Sequence, residues 1–447
     1  MKKRIYKEDW VECKLGEIAK WSSGGTPKST NKSYYNGNIP WLIIRDLNDG
    51  SVFNSEKKIT QKGLENSSAK IVKPDSVLVA MYGSIGKLGI NKVEVTTNQA
   101  IAFTQTQYSG IYNKYLFHYL YYSRPLLHSL GKGATQKNIS QTILKIFPFP
   151  LPPFPIQHAI VKKIEEHFSS LDNGIDELKK AHKKLKIYRQ AVLKKAFEGE
   201  LTKEWRSNNN LDSWSDETFE SITNSLKRGP FGGDLKKAFF VENGYPVYEQ
   251  QHAINNTFNN LRYFINEERY NLLKACEALP GDYIVSCSGT MGRIARIPKD
   301  AKKGIINQAL MRIRINEEKI SHKYFIKFFK SQMFQSKILQ DSRGSGMQNM
   351  AGIRELKPIK ISLPPRPEQH QIVKEIELHL SVYDAVEKSI KESLLKAELL
   401  RQSILKRAFE GKLLTPEEIE QCKQHPDYEP ASVLLEKIKT EKKNQNR

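Results

Sequence analysis

The sequence predicts an α+β protein in which two α/β blocks alternate with two long helices, the entire plan being written twice. Three observations carry that expectation. A helix ending, AFEGEL at 196–201, returns as AFEGKL at 408–413. The approach to it, LPPFPIQHAIVKKIE at 151–165, returns as LPPRPEQHQIVKEIE at 363–377; the shift of about 212 residues holds without insertion, with roughly half of the positions identical. Charge is divided the same way. Of the formal +22, about +11 falls in 1–150 and about +8 in 206–362, whereas 151–205 and 363–447 carry about +3 and 0.

Each repeated segment predicts one long helix. Pro155 and Pro367 suit a first helical turn, and Gly199 and Gly411 supply a stop. Between them apolar residues step by four and three: Ile160, Ile164, Phe168, Leu171, Ile175, Leu178, Leu185 and Val192 in the first copy. The second steps through Ile372, Ile376, Leu380, Tyr383, Ile390, Leu394 and Ile404. That narrow seam has coiled-coil period, on a rod of about 65 Å. Two half-apolar rods in one chain bury their seams most simply against each other, as an antiparallel coiled coil with pseudo-two-fold repetition. Arg189 and Arg401 interrupt the seams at matching places and are expected to snorkel past their neighbours, the alternative being a carboxylate on the other rod. His158 and His370 match, as do His167 and His379, but without a third ligand in view they predict no metal.

The blocks preceding the rods repeat more weakly. KPDSVLVAMYGSIGKLGI (73–90) and TTNQAIAF (96–103) answer LPGDYIVSCSGTMGRIARI (279–297) and IINQALMRI (305–313). Alternating apolar residues between glycine turns predict twisted sheet. YLFHYLYYSRPLLHSL (115–130) and YFIKFFKSQMFQSKIL (324–339) predict matching amphipathic helices. Both blocks reach their rods through polar stretches, GKGATQKNIS and SRGSGMQNMA, which are either flexible connectors or loops that approach phosphates and bases. Asn98-Gln99 and Asn307-Gln308 fit a buried amide network at least as well as a base contact.

Composition narrows the function. No apolar run approaches the roughly 20 residues of a bilayer span, and MKKRIYKEDW has no apolar stretch after its basic residues, so a soluble cytoplasmic protein without membrane contact is expected. The four cysteines are scattered, without a CxxC pair, and are expected to be reduced. Two basic blocks separated by near-neutral segments suggest two surfaces for a polyanion.

The paired LPP-x-P-x-QH-x-IV openings and the AFEGEL/AFEGKL endings resemble the DNA sequence-specificity (S) subunits of type I restriction–modification systems, over nearly the whole chain. GGTPKSTNKSYYNGNIPWLIIRDL (24–47) and RGPFGGDLKKAFFVENGYPVYEQQHAI (228–254) look like openings of that family's target-recognition domains, and ASVLLEKIKTEKK (431–443) resembles its tails. The resemblance implies recognition domains at 1–150 and 206–362, spacer helices at 151–205 and 363–413, and a tail at 414–447 that helps hold a partner. It implies double-stranded DNA as ligand, read as two half-sites with the rods setting the gap. It also implies that chemistry lies elsewhere: two methyltransferase (M) subunits and restriction (R) subunits would use S-adenosylmethionine, ATP and Mg, and this chain binds no cofactor and is not an enzyme.

The residues agree with that division. An adenine methyltransferase needs Asn or Asp before Pro-Pro-aromatic, where this chain has Leu151, and its second copy has Leu363-Pro364-Pro365-Arg366. GSIGKLG lacks Walker spacing, and Pro74-Asp75 lacks the following carboxylates of a metal nuclease. A scaffold would not need the charge partition, and a structured-RNA binder with one helical hairpin would not need duplicated blocks. Loop chemistry nominates Lys87, Lys132, Gln136, Lys137 and Asn138 as DNA contacts in the first block, and Lys236, Lys237, Arg293, Gln348 and Asn349 in the second.

Overall fold

A computed structural model describes residues 9–133, 137–341 and 348–445. The chain divides into two compact units, Met1–Leu178 with Glu392–Arg447, and Lys179–Lys391. That division falls in the middle of both rods, Phe154–Phe197 and Arg366–Phe409, each a continuous helix of 44 residues.

The reason lies in the antiparallel seam, half of which is present in each unit. In the first unit Asp172 pairs with Arg401, whose guanidinium also lies 4.5 Å over the Phe168 ring, and Lys163 pairs with Glu418 of the short helix Pro416–Lys423 that follows the second rod. In the second unit His182 meets Glu387 at 3.1 Å and Tyr188 Oη meets His379 Nδ1 at 2.7 Å, so partners descend one rod as they ascend the other. Arg401 therefore does not snorkel: it takes the carboxylate across the seam, which the apolar step count alone did not favour. Arg189 stays exposed, 5.9 Å over Tyr383. The seam is fully buried near its ends, at Ile160, Ile164, Val192, Ile372, Ile376 and Ile404. Along the middle, Leu171, Ile175, Leu178 and Leu185 of the first rod are half-buried, while Tyr383 and Ile390 of the second are buried.

The repeated endings have a physical use. Phe409 packs on Tyr115, Tyr119 and Tyr122 of the helix Asn113–Ser129, and Phe197 packs on Tyr324 and Phe328 of the helix His322–Phe329. The first rod thus ends on the second block, and the second rod ends on the first. Gly199 and Gly411 follow with φ of +78° and +69°, the left-handed stop that a side chain resists.

The repeated openings are equally concrete. Gln157 and Gln369 are both 0% exposed. Gln157 donates to the carbonyls of Gly110 and Pro152 and accepts from the Tyr112 N–H; Gln369 donates to Lys319 and Pro364 and accepts from Ser321. Each amide ties its rod to the loop ahead of its own block's helix.

In the first block a five-stranded sheet runs in the order Ala19–Ser23, Ile101–Gln107, Val77–Ala80, Leu88–Asn91, Gly50–Val52. A smaller sheet orders Lys58–Ile59, Tyr35–Leu42 and Thr96–Thr97. The second block repeats the main sheet with one strand fewer, Thr223–Arg228, Leu310–Ile315, Tyr283–Ser286, Ile294–Arg296, and the smaller sheet with one strand more, Phe264–Ile265, Tyr245–Tyr248, Gly304–Ile306, Glu277–Ala278. Each block is closed by an antiparallel pair just before its rod, Val11–Lys14 with Pro148–Leu151 and Ser215–Thr218 with Lys360–Leu363.

One expectation changes. The segment 324–339 forms two helices, His322–Phe329 and Gln332–Ile338, because Ser331 caps the second by accepting from the Phe334 N–H. The tail helix Ala431–Gln445 buries Leu434, Leu435 and Ile438 in its own unit's core, and the Ala431 N–H reaches the Asp9 carbonyl. Burial pushes the Cys13 and Cys287 thiols up to about 12 and about 11, and all four cysteines are free. Among the described residues no helix is long and apolar enough to cross a membrane.

Candidate nucleic-acid interface

One end of each block's main sheet collects the polar repeats. In the first block the hairpin turn Gly83–Gly86 joins the strands Val77–Ala80 and Leu88–Asn91, and in the second Gly289–Gly292 joins Tyr283–Ser286 and Ile294–Arg296. Gly83, Gly86, Gly289 and Gly292 have φ of +64°, +77°, +59° and +72°, so the two turns share one left-handed conformation that only glycine adopts without cost.

Beside each hairpin stands the Asn-Gln turn. The Met81 N–H donates to the Ala100 carbonyl, and the Cys287 N–H to that of Ala309. Asn98 Oδ1 accepts from the Ala100 N–H at 3.2 Å, and Asn307 Oδ1 accepts from the Ala309 N–H at 3.1 Å. The asparagines are turn-builders. The next residues, Gln99 and Gln308, are exposed at the same place in both blocks.

A glycine loop closes onto that turn. Gly24 and Gly229 lie so near its backbone that a Cβ would fall 1.9 Å from the Thr97 and Asn307 carbonyl oxygens. Two residues beyond them come Thr26, whose hydroxyl donates to Gln99 Oε1, and Phe231. The described residues of the polar connectors are tied into the blocks by backbone hydrogen bonds. Lys132 and Asn138 exchange backbone hydrogen bonds of 2.9 Å, and the Gly83 N–H donates to the Lys137 carbonyl. In the second block Leu339–Asp341 pairs antiparallel with Gln348–Met350.

Of the nominated residues, Lys132, Lys137 and Asn138 are exposed and gathered at the first hairpin. Lys87 is half-buried, its ammonium 3.3 and 3.4 Å from the Ile44 and Arg45 carbonyls, so it braces the neighbouring turn. Gln136 lies outside the described residues. Arg293 is exposed on the second hairpin, and Gln348 and Asn349 are placed by their backbone in the paired strand. Lys236 and Lys237 are exposed elsewhere, on the segment 231–240; Arg269 holds that segment by donating to the Asp234 carbonyl at 3.0 Å and lying 4.0 Å over Phe239. Burial, with Arg293 and Lys327 nearby, holds the Lys330 ammonium below its ordinary pKa. Sequence reading underweighted Gln99 and Gln308; the signal was the repeated Asn-Gln-Ala itself, whose two amides have opposite fates.

Comparison with known proteins follows the same outline. The family model described as type I restriction modification DNA specificity domain matches residues 7–187 and 233–396. The EcoBI type I restriction enzyme specificity subunit of Escherichia coli is 24% identical over 452 residues, 97% of this chain and 93% of that one. The EcoR124I/EcoR124II specificity subunit of E. coli is 32% identical over 180 residues, 38% and 44% of the two chains. In fold, the HsdS subunit of Thermoanaerobacter tengcongensis aligns with a TM-score of 0.56 at 17% identity, covering 91% of this chain and 98% of that one. A chain from a study of assembly and conformational transition of the type I R-M system aligns at 0.69, 17% identity, covering 92% and 100%. With two matched segments spanning most of both blocks and most of both rods, the chain belongs to the type I restriction–modification DNA specificity family.

Proposed function

We propose that this chain is the DNA-reading subunit of a type I restriction–modification complex, each block gripping one half of a split, asymmetric duplex target while the rods fix the gap. One observation carries the reading: the same polar edge, glycine hairpin beside Asn-Gln turn beside glycine loop, is built twice, on the two blocks that hold nearly all the net positive charge. Exposed lysines and arginines there suit phosphates and supply affinity, while Gln and Asn amides suit base edges and supply choice. Lys132, Lys137 and Asn138 in the first block and Arg293 in the second are the nominated contacts at this edge; Lys87 acts by bracing it, and Lys236 and Lys237 add positive charge elsewhere on the second block.

Adenine-N6 methylation and cleavage fall to two M subunits and to R subunits, which bring S-adenosylmethionine, ATP and Mg. Matched exposed apolar patches on the rods suit two copies of one partner: Ile187 and Tyr188 on the first, Leu399 and Leu400 at the same repeat positions on the second. Sequencing genomic DNA for methylated adenines, with and without this gene, is the direct test. A bipartite methylated motif that vanishes with the gene is expected; a deletion strain with every motif intact rejects the reading.

A further inference from the structure

The two edges differ at one position, and the difference points to unlike handling of the two half-sites. Gly24 and Gly229 match, since their N–H groups meet the carbonyls of Ile101 and Leu310, the first residues of corresponding strands. Two residues on, the first block has Thr26 and the second has Phe231. Thr26 is exposed and spends its hydroxyl on Gln99. Phe231 is 88% exposed. A single exposed phenylalanine is ordinary by itself; what sets this one apart is how the chain around it is held.

These surroundings hold it out. Pro230 before it is buried, and Gly229 is pressed on the Asn307 backbone. After it the Asp234 N–H donates to the Phe231 carbonyl at 2.9 Å, and Arg269 fixes Asp234 in turn. The ring therefore projects from a loop pinned on both sides, two residues beyond Gly229, whose backbone lies against Asn307 and Gln308 of the Asn-Gln turn. Lys236 and Lys237 follow within the same segment. Among the described residues a ring this exposed keeps most of its apolar surface unpacked, whereas a DNA duplex offers a partner between its base pairs, behind a phosphate screen that lysines such as Lys236 and Lys237 suit.

We propose that Phe231 is a wedge that enters the base stack of the half-site read by the second block, partly unstacking one step and bending the duplex there. The first block, with Thr26 at that place, reads its half-site without a wedge. The inference rests on the DNA-reading function above. Partial unstacking favours flexible pyrimidine–purine steps, so Phe231 contributes to specificity through deformability as well as contact.

The test uses the full chain and the duplex that methylation mapping identifies, with 2-aminopurine placed in turn at each adenine-compatible position of both halves. Wild type is expected to raise emission at one step, in one half only, and F231S to abolish that rise while weakening binding roughly tenfold. F231L, still an apolar wedge, is expected to keep most of the rise. Thermal melting of each variant shows whether the fold is intact. If wild type binds the duplex yet emission stays flat throughout, or F231S binds as tightly as wild type, the wedge is refuted and the DNA-reading function stands. Loss in F231L as complete as in F231S refutes it too, by demanding an aromatic stack. If wild type shows no salt-dependent duplex binding, the function itself fails and the wedge with it.

Discussion

Gln157 and Gln369 show how much of this protein rests on single side chains. Each satisfies three backbone groups inside the core, so a leucine of similar size would leave a donor and two acceptors unpaired. At about 1–3 kcal/mol for each orphaned group, Q369L is expected to lower stability by about 3 kcal/mol or more, read as a shifted urea midpoint. Glu368 is a second such point. It is 0% exposed, accepts from Thr202 at 2.6 Å, and takes Arg206 through both carboxylate oxygens at 3.1 Å. The corresponding residue in the first rod is Ile156, buried against apolar neighbours, so one repeat uses a buried ion pair where the other uses hydrocarbon. Because Arg206 would be left without its partner, E368A should cost about 3 kcal/mol, and tryptophan emission during unfolding would report it through Trp214, 5.5 Å from that guanidinium. On DNA the expected signatures differ by residue. K132Q or K137Q should weaken binding on all sequences and reduce the salt slope by about one unit, whereas Q308A should relax choice at one base pair, costing about 1–3 kcal/mol there. A salt titration over a panel of single-base variants separates the two.

At the scale of the element, the rods are read best through their cross-seam polar contacts. Glu387 lies 2.9 Å from Lys391 on its own helix and 3.1 Å from His182 on the other, and these partners hold its carboxyl well below the usual range, at about 2. A depressed folded-state pKa stabilises the fold above the ordinary carboxylate pKa of 4.5 and ceases to do so as pH falls toward 2. The thermal midpoint of E387Q should therefore lie below wild type at pH 6, and the gap should close between pH 4.5 and 2. Periodicity alone located both rods, their openings and their endings. It did not locate Asp172 opposite Arg401, because which charges face each other depends on the stagger of two helices, and stagger is set by where Phe197 and Phe409 land. The break at Ser331 was also hidden, since an amphipathic pattern can pass through a cap without changing its apolar spacing.

For the whole molecule, the division of each rod between two compact units constrains what can be altered. Lengthening one rod alone would shift one half-seam against its partner and leave Phe197 or Phe409 off its block. Lengthening both by one heptad at their midpoints, after Leu178 and after Lys391, keeps the contacts of each unit while adding about 10 Å between the halves of each rod. The methylated motif is then expected to keep its two half-sequences and widen its gap by about 3 bp, allowing about 3.4 Å per base pair. Methylation mapping that returns the original gap would remove the ruler role from the rods. Much of the polar edge could be found from the repeats, hairpin and Asn-Gln turn alike. What it lacked was the sorting of Asn from Gln, the bracing task of Lys87, and the exposure of Phe231, each settled by a backbone neighbour distant in sequence.

By itself the sequence determined the duplication, the two long helices and the charge partition, because helical period, proline and glycine placement and net charge are local or additive properties. Tertiary structure decided that each rod ends on the other block, which arginine finds a carboxylate, and which amide faces outward. Those outcomes depend on burial and on backbone groups brought together from distant segments, and no count along one strand of sequence contains them.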